Sequence, residues 1–248
     1  MHPVLFHLGP VALPAFGALT AIGLMAALAL SLHTAAITAL NPDQLWNAGL
    51  FVLLSAFVLS RLLLVVMYVH AFLSYPFLLL TVPSLTPLGL LLTAVAIVIY
   101  LRIKRLPLLT VLDAWAPCAT LVWLFLALGH FAEGSDPGLP TTLPWGMAMI
   151  ARGVRLHPVA LYAAVVAALL TLILLRQLRH RSRPGDTITL ALAATGLAQF
   201  LLTFLRQPEL EAGRFGILLD PIQWVALAMI IVAGFIWLLP RRPVLHAV

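Results

Sequence analysis

The chain has 248 residues, 63% of them hydrophobic and 9% charged, with 14 Lys and Arg against 8 Asp and Glu for a formal net charge of +6. Several apolar runs reach the length of a membrane span, and the polar surface is too small to cover a soluble globule, so a polytopic membrane protein is expected. The positive charge does not point to nucleic acid, because that role needs a basic face on a soluble domain.

A hydrocarbon core about 30 Å thick takes roughly 20 apolar residues per helix. In chain order such runs cover residues 11–32, 46–69, 85–101, 112–131, 158–175, 187–205 and 221–239, with 73–82 as a shorter segment that is re-entrant or interfacial. The expected fold is therefore all-α, a bundle of seven transmembrane helices forming a single integral domain over residues 1–248. Strands are not expected, because the runs are continuous and rich in Ala and Leu, whereas a membrane barrel alternates apolar and polar residues. The start of the chain has no basic segment and its first run is long enough to be retained, so no cleavable leader is expected. No internal repeat is visible.

Basic residues cluster after the third run (Arg102, Lys104, Arg105), the fifth (Arg176, Arg179, Arg181, Arg183) and the seventh (Arg241, Arg242). Short cytoplasmic loops hold the Lys and Arg excess, which places these ends inside, and the N-terminus and the 132–157 loop outside, in the periplasm. Cys118, the one cysteine, lies within the fourth run, so an intrachain disulfide or a multi-cysteine metal site is excluded and a protein nucleophile is not expected. No metal site is expected.

Polar chemistry gathers in residues 128–162 and at a few points inside the runs. Arg61, within the second run, should face protein or a water-filled cavity; it suits an anionic headgroup, or a structural pair with another helix. Asp113 is expected in the first turn of the fourth helix, complementing its dipole. His130 and Glu133, three apart, share a helix face if the helix continues through them; they suit proton transfer, or a simple electrostatic cap. His157 precedes Pro158, which fits the first helical position, and Tyr162 lies just over one turn further on; both also suit the interfacial aromatic belt. Arg206-Gln207-Pro208 ends the sixth run, either lining a headgroup site or closing the helix in water. Glu209, Glu211 and Arg214 read as a solvated loop, and Arg152 and Arg155 as loop arginines.

Taken in order, Met1-His2-Pro3 with Phe16-Gly17, Asp113-Ala-x-Ala-Pro117, Pro140-Thr-x-Leu-Pro-Trp-Gly146, His157-Pro-x-x-Leu-Tyr162 and Phe204-Leu-Arg-Gln-Pro208 resemble the bacterial prolipoprotein diacylglyceryl transferases. The resemblance implies an inner-membrane enzyme with no cofactor. Its partners would be membrane lipids, phosphatidylglycerol as donor of a diacylglyceryl group, and the lipobox cysteine of a prolipoprotein signal peptide as acceptor, joined through a thioether. It further implies phosphate or carbonyl contacts for Arg61 and Arg206, proton transfer or its support for His130, Glu133 and His157, and an orienting role for Tyr162. Where the family pattern has an arginine and, three residues on, an asparagine, this chain has Ala127 and His130; where it has a further arginine seven residues before Arg206, this chain has Gln199, which is assigned to the phospholipid as well. A His-Gly-Gly of the family corresponds to Pro87-Leu88-Gly89. A non-catalytic lipid-binding paralogue of the same fold is the alternative these replacements leave open, and a transporter of lipid or small molecules is the alternative from another class.

Overall fold

Helix starts in this protein are set by polar caps as much as by apolar content. In the computed structural model, which describes residues 4–8, 11–70, 87–149, 154–207 and 219–239, the helices are α1 (Ala15–Ile37), α2 (Pro42–Met67), α3 (Pro87–Ile103), α4 (Leu108–Glu133), α5 (Val159–Arg179), α6 (Asp186–Thr203) and α7 (Pro221–Leu238). Helix α2 begins at an Asn41-Pro42 cap in which the Asn41 side chain accepts the N–H groups of Asp43 and Gln44. Helix α7 begins at a capping box between Asp220 and Gln223, with Pro221 in the first turn. The segment 73–82, Met1–Pro3, Arg152, Pro208, Glu209, Glu211, Arg214, Arg241 and Arg242 lie outside the described residues.

Six of these helices are long and apolar enough to cross a membrane, and α3, at 17 residues, is shorter. Large apolar side chains such as Val66, Leu172, Val225 and Phe235 point outward. Such a surface would be a liability in water and costs nothing against lipid tails.

Two small antiparallel hairpins correct the expectation of no strands: β1 (Val4–Leu8) with β2 (Val11–Pro14), and β3 (Met147–Met149) with β4 (Val154–Leu156). Continuous apolar runs exclude a spanning barrel but not ribbons of three to five residues before or between helices, which are too short to show a period of two.

The chain divides into two compact units, residues 31–111 and residues 1–30 with 112–248. In the first, α2 packs on α3, with Phe51 and Tyr100 stacked 4.4 Å apart. In the second, α5 packs on α6 and α6 on α7. The buried positions shared by α4, α5 and α6 are mostly small: Ala116, Leu174 and Ala191 in one cluster, and Ala127, Val159, Ala163, Ala164 and Leu202 in another. Small side chains bring helix backbones close, which is how helices gain packing energy where lipid offers no hydrophobic drive. Thr171 adds a buried hydrogen bond to Thr120 at 2.9 Å across α4 and α5.

Asp113 departs from its expected place. Helix α4 starts at Leu108, so Asp113 is past the first turn, and its carboxylate caps a different helix. It accepts the N–H groups of Gly185 (2.7 Å) and Ile188 (2.9 Å) at the start of α6, and pairs with Arg181 at 3.2 Å. The capping chemistry is the one expected; the amides belong to α6, whose cap residue Gly185 has no side chain to offer and sits at φ 96°. Arg181, one of the basic residues that follow the fifth run, is buried in this pair.

Candidate functional site

The candidate site is built at the end of the larger unit where α4 and α6 finish and α5 begins. Helix α4 stops at Gly134, whose φ of 70° lets the chain reverse while the N–H groups of Gly134 and Ser135 both bond the His130 carbonyl at 2.8 and 3.2 Å. That reversal brings the Ser135 hydroxyl to His130 Nδ1 at 2.8 Å, and the centre of the Phe16 ring lies 4.8 Å from that of the imidazole. The helix does run through Glu133, as the shared-face reading required, yet the imidazole pairs with Ser135 and not with the carboxylate.

Residues 137–141 then pass between two neighbours and are tied to both. On one side Leu139 N–H bonds Leu205 O at 2.8 Å, Gln207 N–H bonds Pro137 O at 3.1 Å, and the Gln207 amide donates to Gly138 O at 3.1 Å. On the other, His157 N–H bonds Leu139 O at 3.0 Å and Thr141 N–H bonds Arg155 O at 2.8 Å. Gly138 lies so close to α5 that a Cβ there would run into the His157 carbonyl oxygen. The loop is therefore fixed by its backbone.

Helix α6 tightens as it ends, with Phe204, Leu205 and Arg206 each bonding the carbonyl three residues back. The turn delivers Arg206 to Asp136, Nη2 to Oδ2 at 2.9 Å, with the side chains 23% and 16% exposed. Arg206 Nε is buried and has no hydrogen-bond partner among the described residues.

The start of α5 supplies the third group. Pro158 is the cap residue, one position earlier than expected, and Tyr162 follows one turn later. Its hydroxyl receives the Trp145 indole N–H at 2.9 Å and lies 3.4 Å from His157 Nδ1. Trp145 is itself 60% exposed. Arg155 donates to the Pro144 carbonyl at 3.3 Å, which closes the same loop.

Two predicted residues lie elsewhere. Gln199 lines a cavity of about 280 Å³ between α6 and α7, with Thr195, Pro221, Ile222, Val225, Ala226 and Met229. Arg61 belongs to the smaller unit and is half-buried, its guanidinium 5.5 Å from the centre of the Phe57 ring one turn earlier. Cys118 is buried in α4 with its thiol towards the Ala114 carbonyl, 3.6 Å away. Among the described residues no three His, Cys, Asp or Glu side chains gather to hold a metal ion.

Residue pattern gave no role to Ser135, Asp136 or Gly138, nor to Trp145, which stands in the Pro140–Gly146 motif. Asp136 was visible only as one charge in a glycine-rich loop, and its partner is 70 positions away in the chain. Together the three groups offer a guanidinium for an anion, imidazoles able to take a proton, and a phenol that orients one of them.

The sequence profile of the family described as prolipoprotein diacylglyceryl transferase matches residues 3–239. The chain belongs to the prolipoprotein diacylglyceryl transferase family. Among its relatives, the phosphatidylglycerol–prolipoprotein diacylglyceryl transferase of Clostridium tetani (strain Massachusetts / E88) is 25% identical over 249 aligned positions, covering 97% of this chain and 98% of the relative. The enzymes of the same name from Idiomarina loihiensis and Paracidovorax citrulli are 31% and 29% identical, over 58% and 62% of this chain and 54% and 59% of their own lengths. As a transferase-family protein with several apolar helices of spanning length, the chain is a multi-pass membrane protein. Ala127 is 4% exposed and clusters with Val159, Ala163, Ala164 and Leu202.

Proposed function

We propose that this protein transfers the diacylglyceryl group of phosphatidylglycerol to the lipobox cysteine of a prolipoprotein. The thiolate sulfur attacks the glyceryl carbon bonded to the phosphate oxygen; the C–S bond forms, the C–O bond breaks, and glycerol phosphate leaves with the bonding electrons. The thiol proton passes to a base on the protein. The family match across residues 3–239 carries this reading, and the placing of His130, Arg206 and His157 in the larger unit, where α4 and α6 end and α5 begins, supports it.

In this mechanism Arg206 holds the phosphate, where negative charge grows as the leaving group departs. His157, oriented by Tyr162, takes the thiol proton, with His130 and Glu133 supporting proton transfer. Gln199 offers a neutral amide to the lipid at the edge of the α6–α7 cavity, and Arg61, inside the apolar stretch of α2, binds a phospholipid phosphate or carbonyl. No cofactor enters the reaction.

The protein is placed in the bacterial inner membrane as one integral domain with seven spans, the N-terminus and the 132–157 loop in the periplasm, and the C-terminus in the cytoplasm. Exposed Arg102, Lys104, Arg105, Arg176 and Arg183 support that orientation, while Arg181 no longer counts towards it, being buried against Asp113.

A second reading is favoured by one observation. Ala127 is buried in an apolar cluster and puts no guanidinium where the resemblance has one, as in a paralogue that holds phospholipid without turnover. Complementation separates the two: the chain restores growth to a bacterium depleted of its own transferase if the first reading holds, and fails to do so, when inserted at equal level, if the second does.

A further inference from the structure

The Asp136–Arg206 pair carries an inference beyond anion binding. A guanidinium has five N–H donors, and here one is committed to Asp136 at 2.9 Å while Nε is buried without a partner among the described residues. Asp136 has little freedom to leave, because Pro137 and Gly138 directly after it are bonded to Gln207, directly after Arg206. Both side chains are mostly enclosed, so the pair is screened less than a surface pair.

A phosphate that binds Arg206 therefore arrives beside the Asp136 carboxylate. Two anions then share one cation, which is unfavourable unless the incoming headgroup also supplies a donor to the carboxylate. A glycerol headgroup has two hydroxyls that do so. An ethyl phosphodiester of the same charge has none.

We propose that Asp136 is a specificity-determining residue: held against Arg206, it selects an anionic phosphodiester lipid whose headgroup donates a hydrogen bond and disfavours one that does not. The inference rests on the reading of Arg206 as a headgroup ligand. Asp136 is the acceptor in this arrangement and Arg206 the donor, so the pair reads both sides of a polyol phosphate.

The test is equilibrium binding of phosphatidylglycerol and phosphatidylethanol, equal in charge and acyl chains, to the full-length protein in nanodiscs of neutral lipid. Wild type is expected to prefer phosphatidylglycerol by about tenfold, the value of one charge-assisted hydrogen bond. Asp136→Ala should bring the ratio to about one, and Asp136→Asn, which keeps shape and a weaker acceptor, should give an intermediate ratio. Arg206→Lys should weaken both lipids. A purely structural role for Asp136 would lower both affinities together and leave the ratio unchanged, which overturns the inference, as does a wild-type ratio of one. If wild type binds neither lipid saturably, and Arg206→Ala changes nothing, the headgroup reading of Arg206 falls and the inference with it.

Discussion

The Trp145 indole N–H donates to the Tyr162 hydroxyl at 2.9 Å, and the same oxygen is the partner of the His157 imidazole. An indole N–H only donates, and the phenol oxygen has a second lone pair, so in the tautomer this mechanism needs His157 donates its Nδ1–H to Tyr162, 3.4 Å away, and keeps Nε2 free to take the thiol proton. Trp145→Phe keeps an aromatic ring and removes the donor. It should lower kcat/KM about tenfold, a loss of one oriented hydrogen bond. Tyr162→Phe should cost at least as much, and the double variant little more, since both act through one oxygen. Turnover of a lipobox peptide by the four proteins checks this; losses that multiply would contradict it.

Asp113 and Arg181 are a buried pair whose carboxylate also holds two backbone N–H groups of α6. Asp113→Ala strands a buried guanidinium and two amides, and should destabilise the protein by about 3–5 kcal/mol. Asp113→Asn keeps one acceptor and should lose less. Thermal unfolding in detergent gives the order; an alanine variant as stable as wild type would show that the pair is solvated in the membrane.

Gly138 has no room for a side chain against the His157 carbonyl. Gly138→Ala should push residues 137–141 off α5, at a cost of about 1–3 kcal/mol of overpacking. The helices would be unaffected. Protease sensitivity of the 134–158 loop should therefore rise with unchanged helical circular dichroism, and a variant as resistant as wild type would put the loop elsewhere.

Orientation can be read chemically. In a Cys118→Ala background, Ser135→Cys should react with an impermeant thiol reagent on intact spheroplasts, while Ser182→Cys, in the loop after α5, should react only after lysis. The reverse pattern would invert the topology.

The helical fold was legible because continuous apolar runs of spanning length are the strongest signal a chain carries. Their starts were less so: Asn41-Pro42 and Asp220-Pro221 are polar, so hydropathy passes over the caps that set the first turns of α2 and α7. Asp113 shows a different limit. Its chemistry as a cap for amides follows from its residue type, but only tertiary structure says that those amides start α6. The site follows the same division. His130, His157, Tyr162 and Arg206 were visible as polar residues at helix ends, whereas Ser135, Asp136 and Trp145 matter through partners that spacing along the chain does not reveal.

The central claim is group transfer, and it is tested most directly by mixing purified protein with phosphatidylglycerol labelled in its acyl chains and a lipobox peptide, then weighing the peptide. The account predicts a mass gain of one diacylglyceryl group on the cysteine, glycerol phosphate released in equal amount, and loss of both with Arg206→Ala. An unmodified peptide, under conditions where the Clostridium tetani relative turns over, would contradict it.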